Sequence, residues 1–374
     1  MAGLYIHIPF CSDKCFYCDF FSGNQLYLID DYVSAVMTEV EMRVCYLDNR
    51  QIDSIYFGGG TPSLLSYQNI DRILNRIREF YKVSPTCEIT LECNPENINS
   101  DYLKELFSVG INRISLGIQF LNDSILRKFN RNHSKDLVLN ALMDISDSSI
   151  SNLSVDIIFS VPGIGNDELY CTLEQILKYD IKHISAYCLT IAKNSQLFWK
   201  IEAGHIVEDE EDVFIDQYNL IYNFLLEKKF IQYEVSNYAI EGYQSRHNLG
   251  YWNQDPYLGL GVSAHSFNLN SRQWNSNNIK KYIRDLKSGI LNFEKEELSI
   301  SQLYNEYIIL RLRTYLGISP HFILSSFGND LHDHFLQKIG ILMKQNHFTR
   351  RGELIVPLPE DFLLGDYFAK ILMY

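Results

Sequence analysis

Three cysteines stand close together near the start of the chain, Cys11, Cys15 and Cys18 in "PFCSDKCFYCDFF". Thiolates are soft ligands, and three of them spaced C-x3-C-x2-C can hold three irons of a cubane cluster, leaving the fourth iron without a protein ligand. That iron can take a small molecule. Zinc is the rival, but closed structural zinc sites want four ligands, usually as two separated pairs, and no partner pair is visible. Three incidental thiols would explain poorly why they crowd one loop that also carries Pro9, Lys14 and Asp19. The other five, Cys45, Cys87, Cys93, Cys171 and Cys188, are scattered and read as small core hydrophobes.

The elements that must position this loop alternate. Strand-like runs occur at 4–8, 54–59, 88–94, 113–119, 153–159 and 183–191, separated by amphipathic stretches at 30–46, 69–81, 100–107, 135–145 and 168–179. Repeated βα units predict an α/β fold with a parallel sheet, here a partial (β/α)6 TIM-like barrel. In such barrels chemistry sits where the strands end. The cysteines follow the first run, "GGGTPS" the second, Glu92 and Asn94 end the third, Gln119 ends the fourth, and Asp156 lies in the fifth. These pieces are expected to share one mouth. A glycine run alone would indicate only a tight turn; the common location is what gives it weight.

Composition limits the alternatives. The 374 residues are 46% hydrophobic and carry a net charge of -13, which suits a large core and disfavours broad contact with nucleic acid. No apolar run is long enough to span a bilayer and no secretory signal is apparent, so a cytoplasmic protein is expected. In that reducing compartment clustered thiols bind metal rather than pair as disulfides.

The cysteine spacing, with Tyr17 before the last thiol, resembles the radical S-adenosylmethionine (SAM) superfamily. The similarity extends over most of the chain to its coproporphyrinogen III oxidase-like branch, through "YIHIPFC", "FGGGTPS", "LECNPE", "GINRISLGIQ", "VDIIFSVPG", "YEVSNYA" and "HNLGYW". The resemblance implies a [4Fe-4S] cluster on Cys11, Cys15 and Cys18, and SAM contacts from Tyr5, Gly59, Gly60, Thr61, Glu92, Gln119, Arg131 and Asp156. The branch holds two functions. Its oxidases decarboxylate coproporphyrinogen III with a SAM-derived radical, whereas its haem chaperones bind haem and pass it to haem-requiring proteins.

The second is expected here. The oxidases continue the motif with a further cysteine where this chain has Phe20, and carry an N-terminal arm where only three residues precede "LYIHIP". "HNLGYW" at 247–252 matches a signature that the resemblance associates with haem, which implies His247 as an axial ligand, with Tyr251 and Trp252 as flat apolar surface and Arg246 as a partner for a propionate. His265 is a lesser candidate. At 191–198 the chain reads "IAKNSQLF", where the branch has a Glu-Pro-Gly-Thr-like turn, so details there do not transfer. The expected organisation is a barrel over 1–240, a linking segment over 241–300 and a small helical, winged-helix-like module over 301–374. Expected partners are haem and haem-accepting proteins, without nucleic acid or membrane span, and a homodimer is compatible.

Overall fold

The computed structural model describes residues 2–193, 195–207 and 211–374, so Asn194 of the 191–198 segment lies outside the described residues. Six parallel strands form in chain order: β1 (Ala2–Ile8), β2 (Ile52–Gly59), β3 (Val83–Cys93), β4 (Arg113–Gln119), β5 (Asn152–Phe159) and β6 (His183–Cys188). They are joined by α1 (Ile29–Met42), α2 (Tyr67–Phe80), α3 (Ser100–Val109), α4 (Asp123–Lys128) with α5 (Lys135–Ser146), and α6 (Asn166–Ile176). Parallel neighbours need such crossovers, and the helices cover one face of the sheet. Local chemistry sets their ends. The side chains of Ser66, Asn99 and Ser134 accept backbone N–H groups of Asn69, Tyr102 and Leu137, and Gly110 ends α3 at φ 109°. The six strands and five crossovers lie where the sequence places them. Two cysteines read as core do not: Cys45 and Cys171 are exposed, because the first lies beyond the end of α1 and the second on the outer side of α6.

After β6 come α7 (Gln196–Glu202), α8 (Glu211–Glu227), β7 (Ile231–Gln232) and β8 (Asn237–Ala239); β8 pairs antiparallel with β6. Residues 241–300, expected as a link, form part of the same sheet. Following α9 (Arg246–Trp252), β9 (Tyr257–Leu260) pairs parallel with β1, and β10 (His265–Phe267), β11 (Ser271–Asn275) and β12 (Phe293–Glu297) continue outward, antiparallel. The result is a sheet of twelve strands, ordered β12-β11-β10-β9-β1-β2-β3-β4-β5-β6-β8-β7. Between β11 and β12, α10 (Ile279–Lys287) packs on α1.

A second hydrophobic cluster, including Tyr304, Phe335 and Phe368, fills the C-terminal part. There α11 (Ile300–Leu312), α12 (Pro320–Phe327) and α13 (Asn329–Lys344) precede the hairpin β13 (Phe348–Arg351) and β14 (Leu354–Pro357), and α14 (Gly365–Leu372) closes the chain. Helices followed by a hairpin make a winged-helix-like arrangement. Arg272 of β11 grips Glu306 of α11 through Nε and Nη2 at 2.9 and 2.8 Å. No helix among the described residues is long and apolar enough to cross a membrane.

One buried polar cluster ties the late strands to the first βα unit. Glu39 of α1, fully buried, accepts from Gly261 N–H at 2.8 Å, Asn275 Nδ2 at 2.7 Å and the Tyr282 hydroxyl at 2.5 Å. Arg43 lies beside it, Nε 3.0 Å from Glu39 Oε1 as a charge contact, while Nη1 and Nη2 donate to Gln273 and Asn275. Glu39→Ala therefore leaves a buried guanidinium without its anion and is expected to cost about 3 kcal/mol or more. Glu39→Gln, which keeps shape and some acceptors, is expected to cost less. Denaturation of both variants checks this, and a Glu39→Ala protein as stable as the parent would rule out a stabilising role.

Candidate functional site at the mouth of the barrel

Successive side chains of a strand point to opposite faces. Along β1 to β6 this sorts polar from apolar. Leu4, Ile6, Ile55, Phe57, Leu91, Ile114, Leu116, Val155, Ile157 and Ile184 lie in the hydrophobic core. The intervening residues face the interior in register: Gly3 with Ser54 and Glu88, Tyr5 with Tyr56, Thr90 and Arg113, and Glu92 with Ser115, Ser154 and His183. Hydrogen bonds cross that interior. Tyr56 donates to Glu92 Oε1 at 2.8 Å, the Ser115 hydroxyl donates to Asp156 at 3.2 Å, and His183 lies 2.7 Å from both the Ser154 and Tyr233 hydroxyls.

The cysteine loop sits over the C-terminal end of β1. Its base is closed by backbone bonds from Gly23 N–H to the Pro9 carbonyl at 2.8 Å and from Cys11 N–H to the Gly23 carbonyl at 3.0 Å. Its far side is held by Phe16 N–H on the Phe129 carbonyl and by Asn130 Nδ2 on the Lys14 carbonyl. Cys11, Cys15 and Cys18 are partly exposed free thiols, and the Thr61 hydroxyl lies 3.5 Å from Cys11 Sγ. Burial raises the Cys15 and Cys18 thiols, Arg131 pulls Cys15 back, and each of these two thiols is near enough to feel Cys11. Among the described residues no three His, Cys, Asp or Glu side chains converge as they would on a single metal ion. A cubane, which sets its thiolates at separate corners, does not require that convergence.

Of the residues expected to contact SAM, most stand at the strand ends around the same mouth, while Tyr5 lies deeper in the interior, paired with Tyr56. Gly59 has φ 113° and donates its N–H to Glu92 Oε2 at 3.1 Å, and a Cβ there would come within 2.5 Å of the His7 ring. A Cβ on Gly60 would meet the Phe10 carbonyl at 2.6 Å. The strand end is thus kept free of side chains by its close approach to His7 and to the Phe10 carbonyl. Exclusion of water raises the Glu92 carboxyl to about 7, against the pull of Tyr56 and the Gly59 N–H. Asp156 is raised too, mainly by desolvation, with Ser185, Arg113 and Ser115 opposing. Gln119 holds φ 63° at a bulge between β4 and β5, a left-handed conformation that a non-glycine residue adopts only when its surroundings enforce it. Arg131 Nε donates to the Tyr17 hydroxyl at 2.8 Å and Nη1 to Asn94 at 3.3 Å, joining the cysteine loop to the end of β3. Tyr5 shares a 3.1 Å hydrogen bond with His7 Nδ1, and His7 Nε2 lies 2.9 Å from the Phe21 carbonyl, three residues past Cys18. A strand end without side chains and two carboxyl groups suit a ligand carrying an ammonium and hydroxyls.

Sequence reasoning missed Arg113, Tyr56 and His7. Arg113 is 1% exposed in a strand buried throughout, and its charge opposes the raised pKa of both Glu92 and Asp156. The signal was the alternation in "RISLG", which puts Arg113 on the face of Ser115 and Gly117.

His247 lies elsewhere. It opens α9 against Gly3 and Ser54, at the N-terminal ends of the strands, the opposite end of the barrel from the cysteines. The ring is 3% exposed, with Nδ1 3.0 Å from the Ser54 hydroxyl and Nε2 2.9 Å from the Tyr251 hydroxyl. Burial lowers its pKa to about 3, so it is neutral. Both nitrogens are within hydrogen-bond distance of a hydroxyl. The neighbouring Arg246 guanidinium donates to the Thr86 carbonyl at 2.7 Å. His265 is exposed and stacks on Trp274, on a strand separated from β1 by β9.

Comparison with known proteins agrees with this geometry. The profile of the radical SAM superfamily matches residues 5–176. Heme chaperone HemW of Mycobacterium tuberculosis is 30% identical over 84% of this chain and 82% of its own length. Heme chaperone HemW of Buchnera aphidicola from Acyrthosiphon pisum is 32% identical over 94% and 95%. Among solved structures, coproporphyrinogen III oxidase (HemN) from Escherichia coli superposes with a TM-score of 0.86, covering 100% of this chain and 90% of that one. At 20% identity that likeness speaks for the fold. The chain belongs to the radical SAM superfamily, in the family whose relatives are named heme chaperone HemW.

Proposed function

We propose that this protein is a haem chaperone that binds haem and passes it to haem-requiring proteins in the cytoplasm. The observation that carries the reading is relatedness to proteins named heme chaperone HemW across nearly the full chain. Superfamily membership implies a [4Fe-4S] cluster and SAM. In our reading Cys11, Cys15 and Cys18 hold the cluster, and Tyr5, Gly59, Gly60, Thr61, Glu92, Gln119, Arg131 and Asp156 surround SAM. When bound, the cluster supplies an iron able to chelate SAM and reduce it. The chain's own residues bind and orient: Gly59 and Gly60 keep the strand end free of side chains, Glu92 and Asp156 offer negative charge, and Arg131 braces Tyr17 beside the last cysteine.

The second reading is oxygen-independent coproporphyrinogen III oxidase, which the HemN-like fold favours. Phe20, 63% exposed beside the third cysteine, weighs against it, since the oxidases carry a thiol there. Anaerobic reconstitution followed by separate assays decides. Haem uptake and transfer to an apo haem protein, without decarboxylation of coproporphyrinogen III, is the expected outcome; turnover near 1 per second or within a few decades of it would promote the oxidase reading.

Cluster and SAM sites can be tested apart from haem. The reconstituted protein is expected to hold about four irons per chain, and Cys15→Ala to lose them; retention of the parental iron content would overturn the ligand assignment. Glu92 gives a pH signature. Its carboxyl is charged above about 7 and neutral below, so affinity for the SAM ammonium is expected to fall as pH drops through that value. Glu92→Gln removes the titrating group and should flatten the dependence in equilibrium titrations. A flat profile in the parent protein would remove Glu92 from the SAM site.

A further inference from the structure

The motif "HNLGYW" has been left without a role by the geometry of its histidine. Its placement supplies one. α9 plugs the N-terminal end of the barrel: Ser245 caps it on the Asn248 N–H, and the N–H groups of Arg246 and His247 both donate to Glu88 Oε1, at 2.9 and 3.3 Å. Ser54 and Tyr251 hold the imidazole through its two nitrogens. So held, the ring stacks on two interior tyrosines, Tyr56 at 5.0 Å between centroids and Tyr5 at 6.2 Å, with interplanar angles of 23° and 26°.

Each tyrosine is the foot of an arm that reaches the mouth. From Tyr56 the hydroxyl donates to Glu92, whose other oxygen receives the Gly59 N–H. From Tyr5 the hydroxyl meets His7, whose second nitrogen meets the Phe21 carbonyl at the end of the cysteine loop. There is little slack. A Cβ on Gly3 would come 3.2 Å from His247 Nδ1, and one on Gly58 within 2.9 and 3.0 Å of the Tyr56 and Tyr5 rings.

We infer that His247 is a positioning residue for the SAM and cluster site, acting across the barrel through Tyr56 and Tyr5 on Glu92 and the cysteine loop, and that it is not an axial ligand of haem. A neutral, hydrogen-bonded, stacked imidazole is suited to set ring position and unsuited to meet iron without breaking two hydrogen bonds and the plug. This inference rests on SAM binding at the mouth, as proposed above.

The test uses the reconstituted full chain, with SAM titrated by the change in the cluster's electron paramagnetic resonance signal and haem by its Soret band. Tyr56→Phe removes only the hydroxyl on Glu92 and is expected to weaken SAM binding on the order of tenfold, the scale of one hydrogen bond to a charged group, with iron content and Soret band unchanged. His247→Ala should weaken SAM similarly and leave the Soret band in place. His247→Phe keeps a flat ring on Tyr56 but offers no nitrogen, so it should restore SAM affinity most of the way and retain the parental haem spectrum. Loss of the Soret band in His247→Phe, with iron content intact, would overturn the inference in favour of haem ligation. Parental SAM affinity in Tyr56→Phe would overturn the coupling through Glu92, and parental SAM affinity in a folded His247→Ala would overturn the role of His247. If the parent protein itself bound no SAM, the reading of the mouth would fail instead.

Discussion

Everything at the site depends on the two-residue period of a β-strand. Six parallel strands place alternate residues inside and outside, so one arrangement of sequence makes both a hydrophobic shell for the helices and a polar lining. A polar lining is costly where water is scarce, and it persists because its members satisfy one another. Arg113 sits among Glu92, Asp156 and the neutral rings of His183 and His247, and its charge acts on all four. Among the described residues the Arg113 Nε and the Thr90 hydroxyl find no hydrogen-bond partner, so the interior is close to satisfied rather than wholly so.

How much of this was legible follows from the range of each signal. Runs such as "RISLGIQ" and "LSVDIIF" declare strands locally, because β-branched and apolar residues alternate with polar ones, and Ser66, Asn99 and Ser134 mark helix starts within a few residues. The cysteine spacing is likewise local. What could not be read was long-range. β9 to β12 are only three to five residues long, and "FEKEE" of β12 is exposed along its whole length, so little in the segment announces a sheet. Glu39 and Asn275 meet across 236 positions, and His247 meets Ser54 across 193. The motif containing His247 was visible; the end of the barrel to which it belongs was not.

The sheet's two edges show how an open barrel avoids pairing with another chain. At one side β12 presents Glu294, Lys295, Glu296 and Glu297, and at the other β7 is only two residues long. Charge and brevity both discourage strand addition. The late strands therefore extend the sheet beside β1 without leaving it a bare apolar border, while Arg272 on Glu306 joins that extension to the C-terminal helices.

The backbone closure beneath the cysteine loop bears on when the metal arrives. The bonds among Pro9, Cys11 and Gly23, and the parallel bridge of Phe10 with Gly23, use no thiol. The loop's ends are therefore brought together by the fold itself, and the entropy of closing it is lost during folding rather than at metal uptake. In small zinc modules the order is reversed, and the chain collapses only around its ion. Here the contacts that close the loop involve no metal ligand, so in the reading proposed above a cluster would be built on a loop whose ends the fold has already joined and whose three thiols stand at the rim.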